Sequence, residues 1–209
     1  MSKYYKYSRT YHLPWSLGTT SDDRFMHDIS PFYGKQVVIT EKMDGENTNM
    51  YSDRIHARSL DSLDHGSRHW VKGLWGQIKH DIPEDWRLCG ENIYAKHSIH
   101  YDDLSTYFML FSVWNEKNEC LSWEDTEGIA DMLGLQTVPV IAKMEFNEQF
   151  LRALPNTMDL DKKEGFVVRD AGSFAYKDFA EHVAKWVRPK HVQTTQHWMT
   201  QQIIPNKLK

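Results

Sequence analysis

Short apolar and β-branched runs, bounded by turn formers and set out without a strand–helix–strand rhythm, most restrict the folds open to this chain. Gln36 to Lys42, Thr48 to Ser52, Ile55 to Arg58, Leu88 to Ile93, Tyr107 to Trp114, Leu135 to Ile141, Gly165 to Arg169 and His182 to Val187 read as strands. Pro139 demotes the sixth of these to an edge position. Isolated helical patterns fall between them. Ser67 to His80 carries Trp70, Leu74 and Ile78 four apart and stops at Ile82-Pro83. Ser122 heads a helix over 123–133 with an acidic first turn and Gly134 as its C-terminal cap, and Asn147 to Leu154 gives a short third helix. This distribution predicts an α+β fold of mixed and antiparallel sheets with flanking helices, not a doubly wound one. Asp44-Gly45 reads as the turn between the first two strands, and the third would bring Arg58 back towards the first. The first 35 residues hold Tyr4, Tyr5, Tyr7, Tyr11, Trp15, Phe25 and Phe32 among turn formers, and are expected to wrap the body.

A chain of 209 residues with 40% apolar side chains can bury a real core, and its length suits a single domain over 1–209. The charge is uneven. Between Ala171 and Lys209 six basic side chains face two acidic ones, a local +4, while the remainder carries 19 basic against 27 acidic, or −8. A basic segment on an acidic body can hold a polyanion locally. Cys89 and Cys120 cannot make a disulfide framework, and no apolar leader precedes a cleavage-like site, so the expected setting is intracellular, a cytoplasm of bacterial or phage type. No window approaches the roughly 20 apolar residues that cross a bilayer, so no membrane partner is expected. His65/His69 and His97/His100 have helical spacing, but no thiol or carboxylate completes a zinc pattern around them.

Within Val37-Val38-Ile39-Thr40-Glu41-Lys42-Met43-Asp44-Gly45-Glu46-Asn47, a lysine closes an apolar strand just before a turn. A free lysine has a pKa of about 10.4. It becomes a nucleophile only where burial or nearby cations depress that value. Alone, Lys-x-Asp-Gly is ordinary turn chemistry.

Four further segments set a polar group against apolar neighbours: Leu88-Cys89-Gly90-Glu91, Phe108-Met109-Leu110-Phe111, Glu164-Gly165-Phe166-Val167-Val168 and Val183-Ala184-Lys185-Trp186-Val187. In that order, after the lysine motif, they resemble the covalent nucleotidyltransferase superfamily of ligases and capping enzymes, in particular its ATP-dependent RNA ligase branch. The resemblance runs from about Val37 to Lys190. It implies the adenylyltransferase domain of ligases. Lys42 would attack the α-phosphorus of ATP to give lysyl-AMP. The AMP then passes to an RNA 5′-phosphate, and a 3′-hydroxyl displaces it. Mg²⁺ or Mn²⁺ is the implied metal.

The resemblance also implies roles residue by residue. Glu41 would meet the adenine edge, Asp44 would hold the turn, and Asn47 would lie near the phosphate and the incoming hydroxyl. Arg58 would grip phosphate with its guanidinium fork. Glu91 would accept from the ribose, Phe111 would stack on adenine, and Glu164 would stand beside the metal. Lys185 would orient the α-phosphate and stabilise charge in transfer. Many relatives carry a second lysine two positions on. Here that residue is Val187, which leaves Arg188 or Lys190 as substitutes, and strand alternation turns Arg188 away from Lys185.

Capping enzymes and DNA ligases require a following OB-fold, and only 19 residues follow Lys190, so a single-domain RNA ligase is the expectation. Two alternatives remain open on the residues: an adenylyltransferase working with a partner, and an inactive nucleotide- or RNA-binding module. Expected partners are RNA ends, in a nicked duplex or a broken strand, with a DNA strand in a hybrid allowed. Trp70, Trp75, the aromatic N-terminus and His191, His197 and Trp198 are candidate stacking surfaces.

Overall fold

The computed structural model describes residues 4–17, 23–189 and 202–209. Lys190, His191, His197 and Trp198 lie outside the described residues. Among the described residues twelve strands and four α-helices run in the order β1 (Tyr11–His12), β2 (Gln36–Lys42), β3 (Glu46–Met50), β4 (Ile55–Ala57), α1 (His69–Ile78), β5 (Arg87–Asn92), β6 (Phe108–Trp114), β7 (Glu119–Cys120), α2 (Trp123–Met132), β8 (Gln136–Thr137), β9 (Val140–Glu145), α3 (Glu148–Ala153), β10 (Gly165–Asp170), β11 (Phe174–Ala175), α4 (Phe179–His182) and β12 (Val183–Val187). They form two sheets. One has the order β1-β12-β10-β2-β9, the other β11-β7-β6-β5-β3-β4 with β8 added beside β6. The expected mixed α+β architecture is therefore what forms.

The helices begin and end for local reasons. Ser122 Oγ accepts from the Asp125 amide at 3.1 Å, and Glu124 and Asp125 sit in the first turn of α2, where the helix dipole favours negative charge. Gly134 then takes φ +66°, a left-handed conformation that suits a residue without Cβ. Asn147 Oδ1 caps α3 through the Phe150 amide at 2.9 Å. α1 sits between two 3₁₀ turns, Gly66–Arg68 and Lys79–Asp81, and the path ends at Ile82, held extended ahead of Pro83.

Two expectations are corrected. Residues 36–42 and 46–50 do not form a hairpin: β2 lies in the first sheet between β10 and β9, whereas β3 pairs with β4 and β5 in the second. Asp44-Gly45 is a crossing between sheets. Glycine is required there because a Cβ at Gly45 would lie 2.5 Å from the Asn92 carbonyl oxygen. The run 135–141 splits at Val138-Pro139 into β8, parallel to β6, and β9, antiparallel to β2. The proline stands at the switch, where the missing N–H costs no ladder bond.

One face of the first sheet buries Val37, Ile39, Phe166, Val168, Ala184 and Trp186 in a core closed by Leu13, Phe32, Leu151 and Leu154. The second sheet packs Leu88, Phe108, Leu110 and Val113 against α1 and α2. Trp70 meets Tyr107 edge-on, and Trp75 Nε1 donates to the Tyr51 carbonyl, so both tryptophans are engaged in packing. A buried ion pair ties β3 to the turn before α1. Arg68 Nε donates to Glu46 Oε2 at 2.7 Å, its second fork nitrogen meets Glu46 Oε1, and a third donor reaches the Leu63 carbonyl. No helix among the described residues is long and apolar enough to cross a membrane.

Candidate active site

Alternation along the first sheet decides which side chains face the second. Gly165 stands opposite Lys42 and Val187, and Val167 opposite Thr40 and Lys185. The parity opposite to the buried set therefore puts Thr40, Lys42, Val167, Arg169, Val183 and Lys185 on one face. In the second sheet Asn47 stands opposite Glu91, and Glu91 opposite Met109. Between the sheets lies a cavity of about 390 Å³, whose walls include Glu41, Lys42, Asn47, Arg58, Glu91, Phe111 and Lys185. Seven of the nine residues singled out from the sequence thus share one enclosure.

Glu164 reaches it through Lys42. Lys42 Nζ donates to Glu164 Oε2 at 2.5 Å, with the lysine side chain 24% exposed and the glutamate 7%. The close packing behind them depends on Gly165, at φ +155°, where a Cβ would fall 2.0 Å from the Trp186 carbonyl oxygen. Burial works against the Lys42 charge, but Glu164, Glu91 and Asp44 outweigh it and hold the ammonium well above the usual lysine range. Lys42 is thus a paired ammonium.

The surrounding groups divide by sign. Burial pushes the Glu91 carboxyl up to about 8 despite Lys42, with Glu164 and Asp44 adding to the rise. Burial likewise raises Glu164. Lys185 is lowered by burial and then by the Lys42 charge, with Asp23, 3.7 Å away, and Glu164 opposing. Arg58 is lowered by burial and by Arg9, and its Nε donates to the Tyr7 carbonyl at 3.4 Å. Lys42, Arg58 and Lys185 line one cavity with Glu91, an arrangement suited to a polyanionic ligand with hydroxyls.

Asp44, Glu41 and Arg188 are each held by protein contacts of their own. Asp44 is 9% exposed and does not brace its own turn: its Oδ2 accepts from Ser98 N, Ser98 Oγ and Ile99 N, each at 2.7 Å. Glu41 has the strand parity of Val37 and Ile39, and its carboxylate is bound by Lys163 Nζ at 2.6 Å. Arg188 is 8% exposed and directs its guanidinium to the Leu160 carbonyl, while its amide donates to Glu164 O at 2.9 Å. It therefore supplies no second cation to the cavity.

Sequence reasoning missed several wall residues. Tyr7, from the N-terminal segment, sets its ring edge-on to Phe111 at 5.1 Å and to Phe179 at 5.3 Å. Only its place in an aromatic-rich segment hinted at this. Arg169 donates to the Phe111 carbonyl at 3.4 Å and the Leu121 carbonyl at 2.9 Å, tying the two sheets behind the cavity. Val167 could have been found by counting two positions on from Gly165 along the strand.

The comparisons with known proteins follow the same line. The RNA ligase family model matches residues 35–187. Among solved structures, a Naegleria gruberi RNA ligase with PPi aligns with a TM-score of 0.54 at 20% identity, covering 77% of this chain and 51% of that one. An archaeal ATP-dependent RNA ligase gives 0.55 at 16% identity, covering 85% and 48%. A mutant Naegleria gruberi RNA ligase with ATP and Mn gives 0.52 at 18% identity, covering 77% and 51%. The chain thus spans about half the length of the structures it matches. No curated protein matches the sequence significantly. With a family match over residues 35–187, most of its length, and a cavity lined by Lys42, Glu91 and Lys185, the chain belongs to the RNA ligase family.

Proposed function

We propose that the chain is an ATP-dependent RNA ligase that seals 5′-phosphate and 3′-hydroxyl ends through an AMP carried on Lys42. The observation that carries this reading is the Lys42–Glu164 pair, set in a cavity that also holds Glu91, Arg58 and Lys185. The amine attacks the α-phosphorus of ATP, an N–P bond forms and pyrophosphate leaves. An RNA 5′-phosphate oxygen then displaces Lys42 from the AMP, and a 3′-hydroxyl finally expels AMP as the phosphodiester closes.

Each wall group has work in that sequence. Glu91 accepts a ribose hydroxyl, Phe111 and Val167 bound the base, and Lys185 and Arg58 offset phosphate charge. Before the first step Lys42 must give up both its proton and its hold on Glu164.

A divalent ion fits the donor set. Glu164 is one buried carboxylate beside the phosphate region, and Mg²⁺ and Mn²⁺ are commonly held by one or two carboxylates together with substrate phosphates. Among the described residues no group of three His, Cys, Asp or Glu offers an all-protein site. When bound, such an ion offsets phosphate charge and disfavours the protonated amine. RNA ends, in a nicked duplex, a broken strand or a hybrid with DNA, are the proposed partners, and the cytoplasm the proposed setting.

The test is incubation with α-labelled ATP and Mg²⁺ or Mn²⁺ after pyrophosphate stripping, followed by denaturing electrophoresis and peptide mass spectrometry. A label on Lys42 that discharges on nicked RNA is the expected result. No label in the wild-type chain, or an undiminished label in Lys42→Ala, overturns the assignment.

A further inference from the structure

Asp44 lies two residues beyond Lys42, and its contacts lead away from the cavity. Its carboxylate takes three hydrogen bonds from Ser98 and Ile99, and its amide donates to Tyr101 Oη at 3.0 Å. These partners belong to the segment 93–107, which joins β5, bearing Glu91, to β6, bearing Phe111. Met43 packs in the same place, against Ile93, Ile99, Tyr101 and Leu104. The chain leaving Lys42 is therefore fixed to that segment.

The segment is in turn fixed by residues 202–209. Main-chain bonds join Lys96 N to Ile204 O at 2.8 Å, Asn206 N to Tyr94 O at 2.8 Å, Lys207 N to Tyr101 O at 2.9 Å and Leu104 N to Lys207 O at 3.0 Å. Asn206 is 1% exposed and spends every polar group on this contact. Its Nδ2 donates to Ile93 O at 2.8 Å, its Oδ1 accepts from Tyr101 N at 2.9 Å, and its carbonyl accepts from Tyr107 Oη at 2.9 Å. A buried amide used on both sides holds Ile93 and Tyr101 at a fixed separation, because releasing either end strands a polar group away from water.

We infer that Asn206 is a positioning residue for Lys42: by clamping Ile93 to Tyr101 it fixes the loop that grips Asp44, and through Asp44 the line along which the amine approaches the nucleotide. The inference rests on the proposed role of Lys42 as the AMP-carrying nucleophile. Nucleophilic displacement at phosphorus is sensitive to sub-ångström changes in approach, whereas base and ribose contacts at Phe111 and Glu91 sit on strands held by their own ladders. Loss of the clamp should therefore act on the rate of AMP transfer to Lys42 and not on ATP affinity.

The test is single-turnover labelling of the full chain by α-labelled ATP across a range of ATP concentrations, on wild type, Asn206→Ala, Tyr101→Phe, Ser98→Ala and the Asn206→Ala/Ser98→Ala double variant, with thermal melts alongside. Expected are a maximal rate lowered by about tenfold in Asn206→Ala, as for loss of one or two buried hydrogen bonds at the transition state, and an unchanged half-saturating ATP concentration. Ser98→Ala should cost less in the Asn206→Ala background than in wild type, since both act through one loop. If Asn206→Ala does not fold, Tyr101→Phe, which keeps the ring and deletes only the acceptor for the Asp44 amide, must show the same rate loss at constant half-saturation. Wild-type maximal rates in the folded variants, a change confined to half-saturation, or full additivity would overturn the inference. A wild-type chain that takes no label overturns the proposed function instead, so the two failures are distinct.

Discussion

Lys42 Nζ and Glu164 Oε2 lie 2.5 Å apart at the junction of β2 and β10, so the proposed nucleophile is half of an ion pair. Under the proposed function Glu164 would have two tasks that exclude one another in time: to hold the ammonium, and to face a metal ion once phosphates arrive. Replacing Glu164 by alanine should slow AMP transfer to Lys42 by at least about tenfold and raise the Mg²⁺ or Mn²⁺ concentration needed for half-maximal labelling. A metal titration of labelling checks this. An unmoved midpoint would take Glu164 out of the metal role.

Glu91 carries a pH signature of its own. In the unfolded chain its carboxyl ionises near its ordinary value of 4.5, whereas burial holds it protonated up to about 8 in the folded protein. Between those values the folded state binds the extra proton, so this residue's contribution to stability falls as pH rises, by up to about 1.4 kcal/mol per pH unit. Glu91→Gln should remove that slope. The check is the difference in thermal midpoint between variant and wild type from pH 5 to pH 8, which should shift in favour of the variant as pH rises.

The sequence was most legible where one segment decides its own conformation. Ser122 and Gly134 bracket α2 by local capping chemistry, and both do what their types predict. The order of polar groups on strands was legible for the same reason: alternation carries Lys42 and Lys185 to one face once the strands pair. What could not be read was pairing between distant segments. Asp44-Gly45 has the composition of a hairpin turn, and nothing local says that β3 will leave β2 for β5, because the partner strand lies far along the chain. Asn206 was invisible likewise. A lone asparagine near a basic end has no pattern, and its role exists only once Ile93 and Tyr101 lie on either side of it.

The Glu46–Arg68 pair should matter for stability beyond what a surface ion pair does. Both side chains are about 10% exposed, and the guanidinium fork meets both carboxylate oxygens. Removing one partner leaves a buried charge without its counterion, so Arg68→Ala should cost roughly 3–5 kcal/mol in urea unfolding. Replacing both by apolar residues of similar size should cost markedly less. Equal losses in the single and double variants would show that packing, not the uncompensated charge, sets the penalty.

Arg188 and Lys185 share a terminal strand region but should respond oppositely to alanine. Lys185 faces the cavity beside Lys42, and its loss removes a cation from the proposed phosphate region, so AMP transfer should fall by about a hundredfold or more, the scale of a single transition-state donor. Arg188 is turned to the Leu160 carbonyl on the far side of the sheet and is buried. Its truncation leaves that carbonyl short of a donor and should cost about 1–3 kcal/mol of stability, with labelling of the folded protein within about twofold of wild type, where only surplus contacts were lost. Melts and labelling rates on the two variants separate the roles. A large labelling defect in a well-folded Arg188→Ala chain would mean that the guanidinium swings into the cavity when nucleotide binds.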